Sequence, residues 1–178
     1  MPLTVSPPDQ PYCARLRFTA TAGDPASDLI REYTHAPFSH VEAVLKDSIV
    51  GSYYDKGVAQ LPLDHDQSSN IQVFADLQMD EGTYTTWLHF FQTRLGDPYD
   101  YDATLGLATL SDKHKSHAYI CSSLQLAALR YCHWFPRPSP LRFHVVTPGH
   151  LLLALWADAR VKFSGVEEVA TIRGGNFN

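Results

Sequence analysis

One of the three cysteines, Cys121, occupies a position that suits nucleophilic chemistry. Apolar residues recur with helical spacing over 120–131, which predicts a buried helix whose first turn holds Cys121. The partial positive charge at a helix N-terminus favours the thiolate, which is the reactive form of cysteine. The alternative interpretation is that Cys121 packs as a small buried hydrophobe, and Cys13 and Cys132 have only this interpretation.

A cysteine nucleophile needs a base, and His40 is the candidate. Apolar and polar residues alternate over 39–46, which predicts a strand on which His40 and Glu42 face the same way. Glu42 would then accept a hydrogen bond from the imidazole and set its tautomer, as the third member of a triad does. Ser52 and Tyr53, on the strand expected beside it, are alternative orienters. The competing interpretation of His40 and Glu42 is a solvent-exposed strand face.

The other chemically capable side chains do not form the pattern of a metal or cofactor site. The remaining histidines lie in separate segments, and an odd number of cysteines without a CxxC spacing indicates neither a zinc knuckle nor a disulfide framework. Asp97, Asp100 and Asp102 resemble a calcium-binding loop, but the glycine and the closing glutamate of an EF-hand are missing. The sequence contains no Walker A, dinucleotide-binding, HExxH or GxSxG motif. It therefore predicts chemistry without a metal or cofactor.

An antiparallel sheet is predicted to position His40. Alternating residues predict a half-buried strand over 14–21, and Asp24-Pro25 then begins a short helix that runs to about His35. The apolar face of that helix consists of Leu29, Ile30 and Tyr33. Further strands are predicted over 39–46, over 49–54, after the turn at 55–57, and over 71–77. These strands are expected to form a meander.

Helices are predicted to pack against this sheet. The clearest one begins after Asp80 and stops at Gly96, with a stripe of Tyr84, Trp87, Leu88, Phe91 and Leu95. The other predicted elements are a weak helix over 103–110, the helix of Cys121, a strand over 141–146, a helix from Thr147-Pro148 to Trp156, and a hairpin over 161–172. The predicted fold class is α+β, with a central antiparallel sheet.

Size and charge limit the classes of function. The chain has 178 residues, 44% of them hydrophobic, which predicts one domain over 1–178 with an extended arm at 1–12 and a flexible tail at 173–178. A formal charge of −5 lacks the basic excess that nucleic acid requires. The longest apolar run, 151–157, is far shorter than the roughly 20 residues of a transmembrane helix. No signal peptide is visible, so synthesis in the cytoplasm is expected, with delivery to the cell wall in a virion or by lysis compatible with that pattern.

Two motifs surround the candidate residues. The first is FSHVEAVL at 38–45, followed by Gly51-Ser52 and Gly57-Val58. The second is GDPYDY at 96–101, followed by YICSS at 119–123. Together they resemble the SHVE strand and the nucleophile-helix signature of circularly permuted NlpC-type, papain-like cysteine hydrolases. The histidine precedes the cysteine here, as in the permuted group, and the resemblance extends over about residues 24–150.

This resemblance implies a papain-like fold in which Cys121 is the nucleophile, His40 the base and a polar residue the orienter. It also implies that Tyr119, with Tyr99 and Ser122, lies on the oxyanion or substrate side of the nucleophile. The implied substrate is an amide bond in the peptide stem of peptidoglycan, with a phage, prophage or secretion-machine assembly as the context. Two alternatives stay open: a lipid acyl or thioester hydrolase or acyltransferase, and a catalytically idle module of an assembly.

Overall fold

A six-stranded antiparallel sheet is the central feature of the computed structural model, which describes residues 12–65, 71–104, 115–135, 141 and 145–165. The strands are β1 (Cys13–Ala20), β2 (His40–Val44), β3 (Ser48–Tyr53), β4 (Gly57–Pro62), β5 (Ile71–Gln78) and β6 (Val161–Ser164). Helices in the described residues include α1 (Pro25–Thr34), α2 (Glu81–Arg94), α3 (Cys121–Tyr131) and α4 (Pro148–Trp156). The fold class is therefore α+β, as the sequence predicts.

The strand order is β4-β3-β2-β1-β5-β6. The first four strands form the predicted meander, but its continuation into the fifth strand is wrong. Strand β5 returns to the other side of β1 and pairs with it along its whole length, from Cys13 opposite Gln78 to Ala20 opposite Ile71. This long-range pairing places β1 and β2 in the middle of the sheet.

Strand β1 is buried on both faces, so the prediction of a half-buried strand is wrong. Ala14, Leu16 and Phe18 belong to the hydrophobic core on one face. On the other face Arg15 and Arg17 are also buried, and each is paired with a carboxylate of a neighbouring strand. Charges can be buried when they are paired and hydrogen-bonded, and this pairing explains how a polar face became interior.

Helix α3 packs against β2 and β3 on the sheet and against α2 and α4 beside it. Helix α2 begins at the predicted N-cap Asp80, and its buried side chains are Trp87, Phe90 and Phe91. Phe90 was not part of the predicted stripe, whereas Leu95 of that stripe is exposed. The core therefore lies between the sheet and the helix that begins with Cys121.

Helix α1 has the predicted cap but not the predicted buried face. Asp24 accepts a hydrogen bond from the Ser27 backbone amide at 2.9 Å, with Pro25 as the first helical residue. Leu29 and Tyr33 are exposed. The helix is instead tied to the sheet by polar contacts of Ser27, whose hydroxyl lies 2.7 Å from that of Ser39.

Several predicted segments lie wholly or partly outside the described residues. The arm at 1–11, most of the weak helix at 103–110, most of the strand at 141–146, the second half of the hairpin at 161–172, and the tail at 173–178 belong to this group. Ala103 and Thr104 are helical, and the first half of the hairpin is β6, which pairs with β5. Within the ranges given above, no helix has the length and hydrophobicity needed to cross a membrane.

Candidate active site

Cys121 is the first residue of α3, which confirms the predicted position at a helix start. The N-cap residue is Ile120, which has no side chain that could accept a hydrogen bond. Ser123 compensates, because its hydroxyl accepts a hydrogen bond from the Ile120 backbone amide at 3.0 Å. The helix start is thus fixed directly around the thiol, which is almost fully buried at 8% exposure.

His40 is the first residue of β2 and interacts directly with Cys121. Burial lowers the pKa of His40. The charge of the Cys121 thiolate, a hydrogen bond with that group and the nearby Glu42 carboxylate act in the opposite direction, and together they raise the pKa of His40 to about 10. The imidazole is therefore held in its protonated form beside the sulfur.

The thiol responds in the complementary direction. Burial raises the pKa of Cys121, but the His40 charge and hydrogen bond lower it, as do hydrogen bonds from the backbone amides of Val41 and Ser122. The net effect is a lowered pKa for the Cys121 thiol. A thiolate paired with an imidazolium is an activated nucleophile next to its own proton donor.

Glu42 lies next to the imidazole of His40. Its Oε2 atom is 3.6 Å from Nε2 of His40, and the side chain is buried, so the competing interpretation of a solvent-exposed face is wrong. Burial raises the pKa of Glu42, but His40, Arg17 and the Tyr53 hydroxyl outweigh this effect and lower the pKa to about 2. The carboxylate is therefore ionised, and it faces the ring nitrogen as an orienter would.

The two alternative orienters have different surroundings. The Tyr53 hydroxyl donates a hydrogen bond to Oε2 of Glu42 at 2.7 Å, and its ring stacks on His40 with centroids 5.3 Å apart. The Ser52 hydroxyl donates instead to the Tyr119 carbonyl at 2.6 Å. Tyr53 therefore acts together with Glu42, whereas Ser52 secures the segment that leads into α3.

Arg17 is a member of this cluster that the sequence did not single out. It lies on β1 directly opposite Glu42 and binds Oε1 of that residue through both Nε and Nη2. The same Nη2 atom donates to the carbonyl of His65 at 3.2 Å. Its period-two position on a strand was visible in the sequence, but the register that places it opposite Glu42 was not.

Of the residues implied on the oxyanion or substrate side, Tyr99 has a side chain that responds to the charge of the thiol. Burial, followed by the charge of Cys121, raises the pKa of Tyr99 to about 12. The Tyr119 ring packs against Phe90, with centroids 6.3 Å apart. The Ser122 hydroxyl donates to the Val146 carbonyl at 2.7 Å, so Ser122 offers the site its backbone amide rather than its side chain.

The loop that carries Tyr99 is joined to the segment before α3. Tyr99 and Tyr119 form an isolated parallel bridge, in which the Tyr119 amide donates to the Pro98 carbonyl and the Asp100 amide donates to the Tyr119 carbonyl. Asp100 is not arranged as a calcium ligand, because its carboxylate accepts from the backbone amides of Ala103 and Lys115. This pairing brings the two halves of the second motif together next to Cys121.

Three tyrosines, including Tyr99, form a cluster. The rings of Tyr54, Tyr99 and Tyr101 contact one another with centroid distances of 4.9 to 5.7 Å. The Tyr101 hydroxyl donates to the Tyr54 carbonyl at 2.6 Å, and both of these side chains are exposed. The cluster thus presents ordered aromatic surface to solvent.

The comparisons with known proteins bear on the fold. No protein-family model matches the chain, and no curated protein matches it in sequence. Among solved structures it is similar to the metalloprotein YiiX from Escherichia coli O157:H7, with a TM-score of 0.58 and 13% identity over 87% of this chain and 97% of that chain. In the part of this chain that the structure describes, no three His, Cys, Asp or Glu side chains form a group that could hold a metal ion. The similarity to YiiX therefore concerns the fold alone.

Proposed function

We propose that the protein is a cysteine hydrolase of the circularly permuted NlpC-type, papain-like class, with Cys121 as nucleophile, His40 as general base and acid, and Glu42 as orienter. The observation that carries the proposal is that Cys121 begins α3 and that the Glu42 carboxylate lies 3.6 Å from Nε2 of His40. In these surroundings the pKa of the thiol is lowered and that of the imidazole is raised to about 10. His40 and Glu42 lie on β2, whereas Cys121 lies on α3, far later in the sequence.

The proposed reaction uses these groups in two steps. The Cys121 thiolate attacks the carbonyl carbon of an amide, and the His40 imidazolium gives its proton to the departing amine as the C–N bond breaks. The resulting thioester is then hydrolysed by water, whose proton returns to His40 as the C–S bond breaks. Glu42 stabilises the imidazolium through its negative charge, with Oε2 at 3.6 Å from Nε2 of His40.

The oxyanion of the tetrahedral intermediate needs hydrogen-bond donors near the sulfur. Cys121 is the first residue of α3, and the backbone amides of a first helical turn have no acceptor within their own helix. The Cys121 amide is therefore available to the oxyanion, and the helix dipole adds to its effect. The family resemblance implies Tyr119 near the oxyanion. We assign Tyr99 to this position instead, because the charge of Cys121 affects its pKa, whereas the Tyr119 ring packs on Phe90.

A peptide is the substrate class that the surroundings of the thiol favour. Exposed Tyr54 and Tyr101 provide an apolar surface with polar hydroxyl groups, which suits a polar, extended ligand. The peptide stem of peptidoglycan is such a ligand and is the substrate that the family resemblance implies. Delivery by a virion, by lysis or by a secretion machine is part of this proposal.

A lipid acyl or thioester substrate is the second candidate, because an apolar groove of about 870 Å³ lies between α1 and α4. Leu152, Leu153 and Trp156 of α4 line it together with Ala36 and Pro37. The two latter residues lie shortly before His40 in the sequence. Cys121 itself is not among the lining residues.

The proposal is tested with purified protein, peptidoglycan sacculi and aryl thioesters of long-chain acids. We expect release of free amines from sacculi, complete loss of release in Cys121→Ala and His40→Ala, and a smaller loss in Glu42→Gln, because an amide oxygen can still accept one hydrogen bond from the ring. Cys132→Ala is the matched control, since burial raises the pKa of that thiol. It should retain activity.

Thiol labelling separates an enzyme from an idle module. Iodoacetamide at pH 6 should alkylate Cys121 well before Cys13 and Cys132. In the activity assay described above, faster turnover of the long-chain thioester than of sacculi would support the lipid acyl or thioester hydrolase instead. Equal labelling of all three cysteines, or none, would refute the proposed nucleophile.

A further inference from the structure

Two arginines on β1 are buried in similar ion pairs, but only one of these pairs lies next to His40. Arg15 and Arg17 are both buried, and each binds a carboxylate across the sheet, Arg15 to Asp76 on β5 and Arg17 to Glu42 on β2. Only Glu42 is in turn next to His40. The two pairs therefore offer a comparison between an arginine that reaches the candidate active site and one that serves the sheet alone.

The polar partners of the Glu42 carboxylate are divided between its two oxygens. Oε1 is held by Arg17, while Oε2 accepts from Tyr53 on β3 and faces Nε2 of His40 on its own strand. Beyond His40 lies Cys121 of α3, and Tyr99 interacts with that thiol. His65 contacts two members of this cluster. Its carbonyl accepts a hydrogen bond from Arg17, and its ring packs edge-on against that of Tyr53, with centroids 5.5 Å apart.

We propose that Arg17 is a positioning residue, which keeps the buried Glu42 carboxylate ionised and turned toward His40, and thereby maintains the imidazolium beside the Cys121 thiolate. This inference rests on the proposed function. Its physical basis is that an isolated carboxylate in a protein interior takes up a proton, because burial disfavours the charged form. A neutral Glu42 would no longer stabilise the imidazolium, and the thiolate would lose its partner.

The geometry makes arginine suited to this task. Its planar guanidinium presents several donors in a fixed plane, and here it binds one carboxylate oxygen with two of them while reaching the His65 carbonyl with the same Nη2 atom. This leaves Oε2 for Tyr53 and His40. The carboxylate therefore cannot rotate without breaking its bonds to Arg17.

The test is the pH dependence of Cys121 alkylation by iodoacetamide, followed by mass spectrometry of the Cys121 peptide, which needs no substrate. In Arg17→Met we expect the midpoint of alkylation to move upward by about 1 pH unit or more, so that alkylation below the midpoint is about tenfold slower. Arg17→Lys keeps the positive charge but lacks the planar pair of donors, so its midpoint should lie between those of wild type and Arg17→Met. Arg15→Met is the matched control and should leave the midpoint unchanged.

The double variant Arg17→Met/Glu42→Gln covers the case in which Arg17→Met does not fold, because removing both members of a buried pair is far better tolerated than removing one. If Arg17 acts through Glu42, the double variant has the same upward shift as Glu42→Gln alone. A double variant with a wild-type midpoint would overturn the proposal, as would a folded Arg17→Met with an unshifted midpoint or an Arg15→Met with an equal shift. A wild-type midpoint near that of an ordinary thiol, about 8.5, would refute the proposed function itself and the role of Arg17 with it.

Discussion

The free energy of unfolding should fall less steeply with decreasing pH when Glu42 is replaced by glutamine. Glu42 is buried, and the structure lowers its pKa from 4.5 to about 2 through His40, Arg17 and Tyr53. The folded state therefore prefers the ionised carboxylate more than the unfolded chain does. This contribution to the free energy of unfolding is fully present above pH 4.5 and is lost as the pH falls toward 2.

The size of the effect follows from the two pKa values. The difference between 4.5 and about 2 corresponds to about 3 kcal/mol, at about 1.4 kcal/mol for each pH unit. The linkage relation gives a loss of about 2 kcal/mol of this between pH 7 and pH 3. Glutamine does not titrate, so this part of the acid destabilisation is absent from the Glu42→Gln variant.

Urea denaturation of both proteins at several pH values between 3 and 7 measures the effect. We expect wild type to be more stable than Glu42→Gln at pH 7, because the variant leaves Arg17 buried without its carboxylate. This advantage should shrink by about 2 kcal/mol at pH 3. An advantage that stays constant over this range would show that Glu42 is not held ionised by its neighbours, and the reasoning about the site would fail.

The second arginine pair supplies a control for general acid effects. Asp76 binds Arg15 on the side of β1 that faces β5, away from Glu42. In an Asp76→Asn background the stability effect of Glu42→Gln should show the same pH dependence, since separate sites without shared partners are additive. A changed dependence would mean that the two pairs form one coupled network.

Two further predictions concern the segments that support the site. Ser52→Ala should lower the free energy of unfolding by about 1 kcal/mol, because it removes a buried hydrogen bond to the Tyr119 carbonyl, and it should leave the pH midpoint of Cys121 alkylation unchanged; a shifted midpoint would assign the orienting role to Ser52. Gly57→Ala should cost at least about 2 kcal/mol, because Gly57 has a φ of 68° and a Cβ there would lie 2.3 Å from the Asp97 carbonyl oxygen. Gly23→Ala is its control, since Gly23 also has a positive φ but has open space around it, and thermal denaturation that ranks the two equally would contradict the close approach at Gly57.

Local patterns were sufficient to predict the positions of His40 on a strand and Cys121 at a helix start. The period-two spacing of His40 and Glu42 does place both on one face of a strand, and the apolar spacing after Ile120 does begin a helix at Cys121. Each of these inferences needs only a few consecutive residues. The role of the Ser122 side chain could not be predicted in this way. Its hydroxyl donates to the carbonyl of Val146, a partner 24 residues away that no local pattern identifies.

The surroundings of His40 and Glu42 depend instead on strand pairing. The alternation of Arg15, Leu16 and Arg17 is compatible both with a strand that has one wet face and with a central strand whose charges are paired. The return of β5 to β1 decides between these two, and that pairing joins residues about 60 apart in sequence. The arginine and tyrosine contacts of Glu42 depend in turn on the pairing of β2 with β1 and with β3, which local patterns do not define.

Burial of β1 on both faces has a consequence for the site. A central strand with two arginines on one face requires a carboxylate for each, because an unpaired buried charge is strongly destabilising. The neighbours of β1 supply one each, Asp76 on β5 and Glu42 on β2. Glu42 therefore serves the sheet and the imidazole at once, and a substitution there affects stability and chemistry together. The pH profile of Cys121 alkylation measures the effect on chemistry, and urea denaturation measures the effect on stability.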